Sequence, residues 1–173
     1  TVEPTAARYF DLTLPDGAMA PYHATEGLDP SDARESVRRS IASAHHLATS
    51  GIREAARRFT DAGHELCGCA VLVGPGMPSW STDEILAVHV RMHQAEGELF
   101  RDVLVAGARA CDLELTTLRD KSALDDATKL LGLTRARLDA QLATLGKSAG
   151  PPWGKDQKEA AAAALVALDV RRR

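Results

Sequence analysis

Aromatic side chains account for only 4% of the 173 residues. The core must therefore be aliphatic, and the stacking platforms that hold single-stranded nucleic acid are not expected. Positive charge is not in excess either: 21 Lys and Arg stand against 24 Asp and Glu, for a formal net charge of −3 and a pI near 6.0. Tight non-specific binding to nucleic acid or anionic membrane draws on phosphate neutralisation by cations, so the charge balance disfavours both. Local clusters such as Arg34, Arg38 and Arg39, or Arg171 to Arg173, read as a solvated helix face and a chain end. The longest apolar run, Ala160 to Leu168, falls far short of the ~18–20 residues that span a bilayer, and no basic start followed by an apolar stretch marks an export signal. Cysteine is scarce and odd in number. Cys67, Cys69 and Cys111 do not make a disulfide framework, and reduced thiols in a cytoplasmic protein are the expectation.

What is present is the composition of a folded domain, 45% hydrophobic and 26% charged. The length predicts a single α/β domain over 1–173 with one core, after a disordered lead-in over 1–7. Tyr9 to Leu14 and Ala18 to His23, on either side of Pro15-Asp16-Gly17, read as a hairpin. Asp29-Pro30 opens a helix whose apolar positions Ala33, Val37, Ile41, Ala44 and Ala48 keep helical spacing, with a break near Ser50-Gly51 before the pattern resumes. Leu66 to Val73 has the length and apolarity of a buried strand, stopped by Gly74-Pro75-Gly76. Ser81 with Glu84 forms a capping box that opens a long helix to about Ala110. Leu113 to Thr117 alternates as a further strand, and three helices follow: one from Ser122 to Gly132, one from Thr134 to about Gly146, and an Ala-rich one to about Val170. The whole predicts a mixed sheet with an N-terminal hairpin, parallel later strands joined by a right-handed crossover, and helices packed on it. Ligands of such sheets gather at the strands' C-terminal ends, here the loops 74–82 and 119–122.

Chemistry concentrates between His89 and Arg101. At roughly 100° per residue, Ile85, His89, Met92, Glu96, Leu99 and Val103 share one arc, which turns His89 and Glu96 inward. An inward carboxylate needs a partner, and a paired, desolvated one is a candidate catalytic group, so His89 and Glu96 are the candidate catalytic pair. His89 and His93 stand at the i, i+4 spacing of metal ligands and are the candidate ligands of a divalent metal ion. Glu96 cannot join His89 on that ion: two turns, ~10.5 Å of rise, separate them. The set needs a further group, for which His23, His45 and His46 are the histidine candidates.

Other apparent motifs dissolve on inspection. His64, Cys67 and Cys69 lack the second cysteine pair of a zinc site, Gly74-Pro-Gly76 lacks the Gly-Lys-Ser/Thr of a phosphate loop, and there is no Gly-x-Ser-x-Gly elbow.

Three resemblances remain. Residues 127–146, with Gly132 at a turn, Thr134-Arg135 at a cap and Leu138, Leu142 and Leu145 at helical spacing, resemble the helix-turn-helix of Fis-type DNA-binding proteins, which implies a DNA-binding module over 122–146; Asp139, Ala140 and Gln141 stand where that family's recognition helix is basic. The block His89 to Arg101 together with Leu145-Gly146, Gly150-Pro-Pro-Trp153 and Asp156-x-Lys158 resembles an uncharacterised family of bacterial proteins, which implies no activity. The later order of elements is similar to ribonuclease H-like proteins of the Holliday-junction resolvase branch. That resemblance places Asp11 on the first strand and Asp156 and Glu159 on the last helix as ligand-binding acids, while the central strand ends Leu72-Val73-Gly74 without the expected acid. The leading expectation is therefore a ribonuclease H-like binding or assembly protein, a degraded relative of a nuclease. The rivals are a small metal-dependent hydrolase using Glu96, His89 and His93, and the DNA-binding module; homo-oligomerisation is open.

Overall fold

The computed structural model describes residues 19–170. In chain order these form α1 (Pro30–Asp61), β1 (Cys69–Val73), α2 (Thr82–Leu86), α3 (His89–Ala110), β2 (Leu115–Arg119), α4 (Ala123–Leu131), α5 (Arg135–Ala149) and α6 (Lys155–Val170), with short 3-10 turns at His23–Thr25 and Asp120–Ser122. The architecture is mostly helical α/β, with one two-stranded sheet among the described residues. The chain divides into two compact units, one built on Arg58–Gly74 and 112–170, the other on 19–57 and Pro75–Cys111.

The first unit holds the sheet. β1 and β2 are parallel, as their sequence order predicts, in the register Val71↔Thr117. Gly68 precedes β1 because nothing larger fits: a Cβ there would stand 2.7 Å from the Glu114 carbonyl oxygen, which itself accepts from Cys69 N–H. Leu118 packs with Ala127 and Leu131 of α4, Leu138, Leu142 and Leu145 of α5, and Leu165 and Val166 of α6. Small residues at Ala162 and Ala163 let α6 approach closely. Gly132 takes a left-handed φ of 64° and ends α4, and the Thr134 hydroxyl accepts from Arg137 N–H to start α5. This is the Gly-Thr punctuation anticipated from sequence.

The second unit is helical. α1 runs unbroken through Ser50 and Gly51, so the expected interruption there is absent. Its buried Ala33, Val37, Ala44 and Ala48 face two apolar groups. Tyr22, Val37, Ile85, Met92 and Ala95 form one, and Ala44, Ala48, Leu99 and Val103 the other. The capping box is present: Ser81 Oγ accepts from Glu84 N–H, and the Glu84 carboxylate accepts from Ser81 N–H at 2.8 Å, which holds the Glu84 carboxyl below its usual range.

Two further sequence expectations change. The single helix from Ser81 to Ala110 is two helices, parted at Ala87-Val88, where Val88 is extended at φ −141° and ψ 111°. Arg91 fixes the corner by donating to the Glu84 carbonyl oxygen at 3.0 Å and lying 4.7 Å from the centre of the Trp80 ring. The second arm of the expected hairpin is not a strand over its described residues: Met19 to Tyr22 form bends and turns, and His23–Thr25 is a 3-10 turn. The first arm, with Asp11 and the lead-in over 1–7, lies outside the described residues. The two-stranded parallel sheet found among the described residues does not show a ribonuclease H-like fold.

Candidate metal centre

The second unit brings together three histidines. His89 opens α3, His93 stands one turn on, and His23 begins the 3-10 turn before α1. The Nε2 atoms of His89 and His93 lie 3.2 Å apart. The His23 ring centre is 4.8 Å from that of His89 and 4.4 Å from that of His93. One nitrogen from each of the three lies within 4.8 Å of the other two, and no other group of three His, Cys, Asp or Glu side chains among the described residues is so arranged.

Glu96 organises this cluster from behind. It is 8% exposed, one turn beyond His93 on α3. Its Oε1 accepts from the backbone N–H groups of Tyr22 and His23 at 3.1 and 3.2 Å, and its Oε2 stands 2.9 Å from His23 Nδ1. In the neutral ring, a carboxylate so engaged accepts an N–H from Nδ1, the tautomer that carries its lone pair on Nε2, and among the described residues the buried His23 Nε2 has no hydrogen-bond partner. A second carboxylate backs a second ring: Glu26 Oε1 lies 3.6 Å from His89 Nδ1. The turn is itself tied down by Thr25 Oγ1, which donates to the Tyr22 carbonyl oxygen at 2.7 Å. Burial pushes the Tyr22 phenol above its ordinary pKa, and the negative charge of Glu96 adds to the rise.

The inward pairing of His89 and Glu96 is therefore only half right. Glu96 is buried and partnered, but the His89 side chain is 66% exposed. The helix begins at His89, so the arc that runs from Ile85 through Met92 does not carry its phase across the corner at Val88. Both carboxylate oxygens of Glu96 are engaged in positioning His23 and its turn. His23, one of three histidines the sequence offers as a further ligand, is the one at the site; His45 and His46 lie on α1 outside the trio.

The remaining candidates stand elsewhere. On α6, Asp156 is exposed and Glu159 is 8% exposed, with Lys155 Nζ 3.8 Å from its carboxylate; no third acid completes a cluster there among the described residues. On α5, Arg135 is engaged by Asp125 and Asp139, and Gln141 is buried, so the face resembling a recognition helix presents little free positive charge. Cys67, Cys69 and Cys111 form no disulfide, and no helix among the described residues is long and apolar enough to cross a membrane. Comparison with known proteins yields no match to any family model, curated protein or solved structure.

Proposed function

We propose that this protein is a small metal-dependent hydrolase that binds one divalent transition-metal ion through His23, His89 and His93. The observation that carries the reading is the convergence of three imidazoles of which one, His23, keeps a buried, partnerless Nε2 while its Nδ1 is held by a carboxylate. Ligand nitrogens ~2.0–2.1 Å from a tetrahedral ion stand about 3.3 Å apart. The 3.2 Å between His89 and His93 fits that edge. Metal-bound histidines pass their second N–H to a carboxylate or carbonyl, which is the relation of Glu96 to His23 and, more loosely, of Glu26 to His89. Imidazole donors suit zinc, copper, iron and nickel rather than magnesium or calcium.

Three protein ligands leave a coordination position open, the pattern of catalytic rather than structural zinc. An ion there supplies Lewis acidity and lowers the pKa of bound water to ~7. The chain's own residues divide the remaining work. Exposed His89 and His93 leave the centre open to solvent and substrate, His23 closes its inner side, and Glu96 holds His23 in the ligating tautomer.

The test is a metal titration of protein made without a histidine tag, stripped with chelator and followed by calorimetry and by cobalt absorption. One equivalent of zinc or cobalt should bind. His23→Ala, His89→Ala and His93→Ala should each weaken binding by more than the roughly 10–100-fold expected for loss of an outer partner, whereas His45→Ala and His46→Ala should leave it unchanged. Absence of saturable binding, or equal binding by His89→Ala and wild type, would overturn the reading; both His89 and His93 are exposed, so their variants fold.

A further inference from the structure

A cleft of about 620 Å³ opens beside His89, within the second unit. This is mid-range for small-molecule pockets, which run to ~300–1,000 Å³. Its floor is apolar, with Met92 and Ala33 both buried, and its rim includes Leu28, an aliphatic side chain left 48% exposed. The Thr25 to Leu28 segment, which begins two residues after His23, forms one wall, so the cleft and the histidine cluster are built on the same pieces of chain.

The charged groups in this cleft decide what it can bind. Arg34, Asp83 and Glu26 line it. Both carboxylate oxygens of Asp83 accept from the same nitrogen of Arg34, Nη1, at 3.0 and 3.2 Å. Glu26 sits against His89 Nδ1. The Asp83 carboxylate is thus engaged and Glu26 stands as an exposed carboxylate at the His89 end of the wall, while a guanidinium carries five N–H donors and among the described residues Arg34 has no hydrogen-bond partner but Asp83. Asp83 holds the guanidinium in place and leaves its Nε and Nη2 donors over to a ligand. A divalent ion at the neighbouring histidines adds positive potential to the same cleft.

We infer that this cleft is the substrate pocket of the metal centre and that it takes a small molecule with an apolar body and a carboxylate, the carboxylate bound by Arg34. The inference rests on the metal-dependent reading above for the word substrate, but the binding itself draws on groups that need no ion. Recognition is by polarity at one end and fit along the other: the guanidinium fork matches a carboxylate, and Leu28, Leu86 and Met92 cover an aliphatic chain.

The experiment uses hexanoate, hexan-1-ol and hexylamine as probes of equal chain length, titrated by calorimetry and NMR into zinc-saturated and metal-free protein in parallel. Hexanoate should bind saturably to both forms, at least tenfold more tightly than hexan-1-ol, and hexylamine should not bind. Arg34→Gln should weaken hexanoate by at least tenfold, leaving hexan-1-ol and the zinc affinity unchanged; Leu28→Ser should weaken hexanoate and hexan-1-ol together. Equal binding of hexanoate by Arg34→Gln and wild type would place the carboxylate on the metal or elsewhere and overturn the assignment, as would tighter binding of hexylamine. Failure of the metal reading has a different signature: the protein takes up no zinc when titrated with it, while hexanoate still binds and Arg34→Gln still weakens it.

Discussion

The carboxylate of Glu96 and the ring of His23 meet at 2.9 Å between Oε2 and Nδ1, across 73 residues of chain, with the other carboxylate oxygen accepting two backbone N–H groups. This one side chain does two jobs that can be separated. Its charge orients an imidazole, and its oxygens satisfy backbone donors that burial would otherwise strand.

Replacing Glu96 by Gln or Ala separates them. Glu96→Ala leaves the Tyr22 and His23 amides without an acceptor, at ~1–3 kcal/mol each, so chemical denaturation should show a loss of about 2–6 kcal/mol. Glu96→Gln keeps a carbonyl oxygen for those amides but can no longer accept at both positions, and its stability should fall by less than half as much. Zinc affinity should drop by about 10–100-fold in Glu96→Gln, as for loss of an outer-shell partner. Wild-type zinc affinity in Glu96→Gln would show that the His23 contact is unrelated to a metal.

Leu99 tests the phase of α3. It lies one turn beyond Ala95, buried at 8% exposure and grouped with Ala44, Ala48 and Val103. Leu99→Ala should cost ~2–5 kcal/mol by urea denaturation. A loss below ~0.5 kcal/mol is the behaviour of a surface site and would contradict this packing.

Tyr22 should make the protein sensitive to alkali. Burial, aided by Glu96, raises its folded pKa above the ordinary value of about 10. In the window between the two values the unfolded chain has released a proton that the folded chain retains, so stability is full below about pH 10 and declines as pH rises through the folded pKa. Tyr22→Phe removes this titration, and its denaturation midpoint should fall less than that of wild type between pH 8 and about pH 11. Parallel declines in the two proteins would exclude a contribution from Tyr22.

Much of the fold was readable where local chemistry decides it. Ser81 and Glu84, Gly132 and Thr134 mark element ends through hydrogen bonds and a left-handed φ that involve only near neighbours. The parallel pairing of β1 and β2 follows from a long connection between two apolar segments. Helical periodicity was less discriminating. Ile85, Met92, Leu99 and Val103 are all buried at one helical spacing, yet the corner at Val88 interrupts them, because a pattern of buried positions does not record whether the backbone between them stays helical. Ser50-Gly51 misled in the opposite sense, since the helix continues through residues of poor propensity. At the candidate site, the i, i+4 spacing exposed His89 and His93 as a pair, and the inward position of Glu96 exposed its need for a partner. That the partner is His23, and that His23 in turn faces the pair, depends on a contact between distant parts of the chain that no spacing encodes.

The Tyr22 and His23 amides hydrogen-bond to a side chain rather than to a helix or strand, and the acceptor is the same carboxylate that holds the His23 ring. Local opening of this turn must break all three bonds together, so exchange of those two amide hydrogens with solvent and departure of the ring are one event with one free energy. With the turn closed the cluster holds three imidazoles; a turn opened at these bonds would leave only the His89–His93 pair. A ligand that engages all three stabilises only the closed form, and slows the exchange of two backbone hydrogens it never touches.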